Sequence, residues 1–109
     1  MGMTDSLEKL LKAGQDNALV RFGLGQAYLK EGKPALAIDH LRAAVSHDDS
    51  YSAAWKLLGK ALTEVGSTAD AMDAYEQGIH VAEQKGDIQT AKEMRVFLKR
   101  LLRDEGTGD

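Results

Sequence analysis

Apolar residues recur at intervals of three and four along the chain, as in Leu7, Leu10 and Leu11 near the start and Met94, Leu98, Leu101 and Leu102 near the end. This spacing puts them on one face of an α-helix. Between such stretches, Gly14, Gly32, Gly66 and Gly86 each stand where a helix needs a left-handed C-terminal residue. Helix starts are marked by Asp5 with Glu8 and Ser67 with Asp70, which have capping-box spacing, and by Pro34, which suits a first turn. The punctuation predicts an all-α fold of six helices, over 6–13, 17–31, 34–47, 52–65, 68–85 and 88–103.

A shift of 34 positions superimposes Leu24 on Leu58, Gly25 on Gly59, Ala27 on Ala61, Gly32 on Gly66, Ala35 on Ala69, Ala37 on Ala71 and Asp39 on Asp73. One copy reads Leu24-Gly25-x2-Tyr28 and then Ala37-x3-Leu41, with Ala44 at a further small position. The next reads Trp55-x2-Leu58-Gly59-x2-Leu62 and then Ala71-x3-Tyr75. On these residues the chain resembles the tetratricopeptide repeats, whose unit is a pair of antiparallel helices. The resemblance implies a solenoid with a right-handed superhelical stack, in which Gly or Ala lets paired helices approach and large apolar residues fill the gaps. Arg21 stands in place of the family's tryptophan, and Asp49 and Glu83 in place of its terminal proline.

The register divides residues 1–103, read as a single domain, into an N-terminal capping helix at 6–13, repeats at 18–51 and 52–85, and a C-terminal capping helix at 88–103. Residues 104–109 are expected to be a disordered acidic tail. Ala91, Met94 and Leu98 resemble the first helix of a third repeat displaced by two residues, as if the preceding helix were longer. Such half-repeats are expected at the ends, because a repeat buries its apolar face only against neighbours.

Composition narrows the function classes. With 43% apolar and 28% charged residues the chain is too hydrophobic to be disordered. No apolar run approaches the ~20 residues that span a bilayer, and no secretory signal is seen, so the reading is a soluble, unexported, cytoplasmic protein. Met1-Gly2-Met3-Thr4-Asp5-Ser6 fits an N-myristoylation template, although Met3 equally suggests a vector-derived Met1-Gly2. The absence of cysteine excludes disulfides, thiolate catalysis and cysteine-ligated zinc. A net charge of −3 argues against non-specific nucleic-acid binding.

Catalytic machinery is not visible, and the chain is read as a non-enzyme without cofactor or metal. His40 and His47 lie about 10 Å apart along one helix, too far to share an ion, and His80 has no companion ligands. Serines and threonines cluster at helix starts, where capping accounts for them.

The resemblance implies where a ligand would lie. The first helix of each repeat lines a concave groove, which here assigns Leu19, Phe22, Gln26, Leu29 and Lys30, then Ala53, Lys56, Lys60, Thr63 and Glu64. The displaced third helix adds Gln89, Lys92, Val96, Lys99 and Arg100. The expected peptide-binding residues are Phe22, Gln26, Leu29, Lys30, Lys56, Lys60, Lys92, Val96 and Lys99. The full set sums to +5, leaving −8 for the rest. The family's carboxylate clamp for chaperone C-termini is not reproduced, because Phe22, Gln26 and Leu57 occupy its positions. The expectation is a scaffold or adaptor holding an acidic or C-terminal peptide of another protein. The alternatives are a self-associating homo-oligomer and an accessory subunit of a larger complex.

Overall fold

A computed structural model describes residues 2–106. Met1 of the acylation pattern and residues 107–109 of the expected tail lie outside the described residues. Six helices follow one another: α1 (Met3–Lys12), α2 (Ala18–Lys30), α3 (Pro34–His47), α4 (Ser52–Glu64), α5 (Thr68–Lys85) and α6 (Ile88–Gly106). They stack into a slab of 50 × 30 × 18 Å, in which each helix packs on its chain neighbours and α2, α4 and α6 also touch in turn.

All four expected glycines end their helices in the left-handed region, with φ of 92° at Gly14, 74° at Gly32, 80° at Gly66 and 78° at Gly86. At Gly32 this geometry lets Lys33 N donate to Tyr28 O at 2.9 Å and closes the end of α2. Two expected starts differ. Helix α1 already begins at Met3 after Gly2, so Asp5 lies within its first turn and Glu8 bonds elsewhere. Ser67 does precede α5, but its side chain makes no capping bond. Asn17 caps α2 by accepting from Val20 N at 2.9 Å. At the C-terminus α6 runs on to Gly106, so Asp104 and Glu105 are helical; no breaker precedes them, and the buried Leu101 anchors the last turns.

The helix pairs cross where the repeat places its glycines. A side chain at Gly25 would collide with Leu41, and one at Gly59 with the ring of Tyr75. Leu41 and Tyr75 are fully buried, and both contacts recur 34 positions apart. A third close approach, at Gly78, holds three helices together. A Cβ there would lie 2.5 Å from Met94 Sδ on α6 and 2.7 Å from Trp55 Cβ on α4.

Helix α5 has 18 residues against 14 in α3, which accounts for the displaced register of α6. Helix α6 is anchored by Ala91 and Met94, both fully buried. Its start is fixed by Asp87, which accepts from Thr90 N at 3.4 Å and from the buried Ser52 hydroxyl at 3.0 Å.

Candidate peptide-binding face

Helices α2, α4 and α6, the first helices of successive units, meet edge to edge and form one face of the slab. On α4, Lys56 and Lys60 are one turn apart. Lys56 Nζ lies 2.5 Å from Glu93 Oε1 on α6, and Gln89 Nε2 donates to the other oxygen at 3.2 Å. These two donors hold the Glu93 carboxyl below its ordinary pKa, Lys56 having the larger effect.

Lys60 behaves differently: its ammonium stands 5.7 Å from the centre of the Phe97 ring. The Arg100 guanidinium stands over the same ring at 5.9 Å. Phe97 in turn leans on Tyr75, with centroids 5.7 Å apart and planes tilted by 33°. Burial pushes the Tyr75 phenol up to about 12, so it is neutral and part of the floor. The result is a half-buried aromatic ring flanked by two exposed cations.

The remaining expected residues are spread more widely. Phe22 is half-buried against Tyr51, at 4.9 Å between centroids, and Leu29 is half-buried as well, so neither is an open apolar shelf. Gln26 and Lys30 are exposed and line a hollow of about 320 Å³ with Met3, Thr4, Ala27 and Glu31. Lys92, Val96 and Lys99 are exposed too. They stand one residue before Glu93, Phe97 and Arg100, roughly 100° round the helix, and so lie beyond the border that touches α4. Sequence reasoning missed Glu93 and Phe97. Their i, i+4 spacing with Gln89 was the available signal.

A second polar cluster ties the N-terminal helices together. Arg21 Nε and Nη2 donate to Asp16 at 2.7 and 3.0 Å, and Nη1 donates to His40 Nδ1 at 3.0 Å. His47 Nε2 donates to Asp16 at 2.9 Å. Tyr28 donates to Glu8 at 2.5 Å and stacks on His40, with centroids 5.5 Å apart. Trp55, 34 positions after Arg21, donates from Nε1 to the Asp49 carbonyl at 2.8 Å. Arg21 therefore does for the first unit what Trp55 does for the second: each reaches back to hold the loop before its own helix. Among the described residues, no group of three or more His, Asp or Glu side chains is placed to hold a metal ion.

A family model described as "Tetratricopeptide repeat" matches residues 28–94. The chain belongs to the tetratricopeptide-repeat family. Members of this family in general bind other proteins rather than catalyse reactions. One relative, TPR repeat-containing protein PA0015 of Pseudomonas aeruginosa, is 52% identical over 101 residues, covering 93% of this chain and 96% of the relative. Among solved structures, protein BPP2914 from Bordetella parapertussis has a TM-score of 0.84 at 44% identity, covering 98% of this chain and 93% of that one. The first TPR of Spaghetti (RPAP3), solved with the HSP90 peptide SRMEEVD, has a TM-score of 0.77 at 23% identity, over 93% of this chain and 75% of that one. That last likeness is one of fold. No described helix of this tetratricopeptide-repeat protein is long and apolar enough to cross a membrane.

Proposed function

We propose that this chain is a scaffold or adaptor that receives an acidic segment of a partner protein across the face made by α2, α4 and α6. The observation that carries this reading is Phe97 with Lys60 and Arg100 over its ring. An Asp or Glu side chain laid there would meet two cations while its methylene groups pack on the aromatic edge. Lys56 already has a carboxylate partner in Glu93, so it steadies the α4–α6 border rather than waiting for a ligand. The Spaghetti domain shares the fold and was solved with a peptide containing adjacent glutamates. Phe22, Gln26 and Leu57 stand where such a clamp has other residues, so the acidic segment proposed here is not a chaperone terminus.

Anisotropy titrations with labelled short acidic peptides and neutral counterparts of equal length test the reading. The acidic set binds, and its affinity falls steeply between 0.1 and 1 M salt, where the Debye length shrinks from ~10 Å to ~3 Å. Lys60→Glu with Arg100→Glu abolishes binding and leaves helicity and melting nearly unchanged, because exposed charges contribute little to folding. Equal binding of neutral peptides, or wild-type affinity in the double variant, removes this assignment.

A further inference from the structure

Helices α4 and α6 meet in a fixed register. Lys56 reaches Glu93 and Lys60 reaches Phe97, both pairs 37 positions apart, so each turn of α4 has a counterpart on α6. The two rungs differ in what the lysine finds. Glu93 gives Lys56 a carboxylate, 2.5 Å from one oxygen, and Gln89 donates to the other oxygen at 3.2 Å. One turn further on, Phe97 gives Lys60 a ring in place of an anion, and Arg100 stands over that same ring. A carboxylate brought in from outside between Lys60 and Arg100 would repeat the grip that Lys56 and Gln89 already have on Glu93.

The stretch of border able to do this is short. Before it, the start of α6 carries Asp87 and Glu93, both held ionised by their hydrogen-bond donors, against the single charge of Lys56. Lys85, the other cation near Asp87, is turned to the Ser50 carbonyl. After it, Glu64 follows Lys60 by one turn on α4 and Asp104 follows Arg100 by one turn on α6, both exposed. The remaining cations of this stretch of α6, Lys92, Lys99 and Arg103, stand roughly 120–160° round the helix from Phe97, on its outer side. Positive charge on the border is thus confined to about one turn, with carboxylates on either side of it.

We infer that the face selects an isolated acidic residue, and that Glu93 is the specificity-determining residue that turns away a second acid beside it. This rests on the peptide-binding reading and narrows it: the partner presents one Asp or Glu flanked by basic or neutral residues, not an acidic run. Spacing identifies the neighbour concerned. Alternate residues of an extended strand point the same way and lie about 7 Å apart, close to the ~6 Å rise of one helical turn, so the residue two along from the anchoring acid falls over Glu93. A glutamate there meets the excess negative charge of Glu93 and Asp87, whose side chains Lys56 alone does not balance. A lysine there is drawn to the Glu93 carboxylate, which is 38% exposed.

Anisotropy titrations with labelled, end-capped X-Ala-Glu-Ala-X peptides, X being Lys, Gln or Glu, test it. Wild type binds the three in that order, about two- to fivefold apart at each step, the size expected of exposed charge pairs. Glu93→Gln narrows the preference for Lys over Glu by one such step, and its circular dichroism should match wild type because the pair it breaks is partly exposed. Asp70→Asn makes the same change in net charge on α5, away from this face, and leaves the preference as it was. Equal binding of the three peptides by wild type, or tightest binding of the Glu peptide, overturns the inference; the acidic-segment reading survives if binding is still lost in Lys60→Glu with Arg100→Glu. A preference that Glu93→Gln leaves intact, or that Asp70→Asn alters as much, overturns it too, since the overall charge would then be choosing. If wild type binds none of the peptides, or the Lys60→Glu and Arg100→Glu double variant binds them as well as wild type, the reading falls and the inference with it.

Discussion

At Gly59 the absence of a side chain is forced by the Tyr75 ring, which fills the space a Cβ would need. Gly59→Leu is expected to overpack this crossing and cost about 1–3 kcal/mol or more. Against a total near 5–15 kcal/mol, that lowers the melting temperature markedly, and unchanged melting would show that the crossing can yield. Trp55→Ala removes a half-buried indole and its bond to Asp49, for a loss near the lower end of the ~3–5 kcal/mol seen on truncating buried aromatics. His40 makes stability depend on pH. Burial lowers its pKa below 6.5; Glu8 opposes the shift and Arg21 adds to it. Above 6.5 the neutral ring costs nothing. As pH falls through that value the unfolded chain takes up a proton that the fold resists, so stability falls. Denaturant titrations on either side of 6.5 should show the loss in wild type and a flatter profile in His40→Gln, whose amide oxygen can still accept from Arg21. Identical slopes would place the titration elsewhere. Further into acid, Asp16, held low first by its bond from Arg21 and then by His47, adds stability that disappears as pH drops below 3.8.

Helices were legible because their signals are local: an apolar stripe, a glycine that must be left-handed, a proline in a first turn. Each is settled within a few residues, and the middle boundaries agree with expectation to within a residue or two. What was not legible depended on the rotation of one helix against another. Glu93 and Phe97 lie one position from Lys92 and Val96, yet on an α-helix one position is a quarter of a turn. The 34-residue alignment fixes that rotation for α4, but the longer α5 disturbs it for α6. Contacts such as Ser52 with Asp87, 35 positions apart, leave no trace in spacing at all. The end helices are held by such contacts. Leu7 packs on Gly23, with 3.0 Å left for a Cβ there, and Glu8 receives the Tyr28 hydroxyl. Deleting residues 1–14 is therefore expected to bare α2 and cause aggregation or lost helicity. Deleting residues 88–109 should do the same by emptying the Met94 seat at Gly78. A monomeric, fully helical 17–85 fragment in sedimentation and circular dichroism would show that both ends are dispensable.

As a whole the protein is a row in which helices touch the next one along and, on one face, the next but one. Among the described residues no helix contact joins the first helix to the last, so no single event must bring these distant helices together. A chain of this kind behaves as a row of coupled units, each held by its own pair and by its neighbours. Opening then costs least at the two ends, where a helix has a neighbour on one side, and most in the middle. Amide protons should record this as a gradient: fast exchange in α1 and the last turns of α6, slowest exchange in α3 and α4, with Leu41 and Leu58 among the best protected. Folding should be quick for the same reason, in the microsecond-to-millisecond range of proteins built from local contacts, and indifferent to which pair forms first.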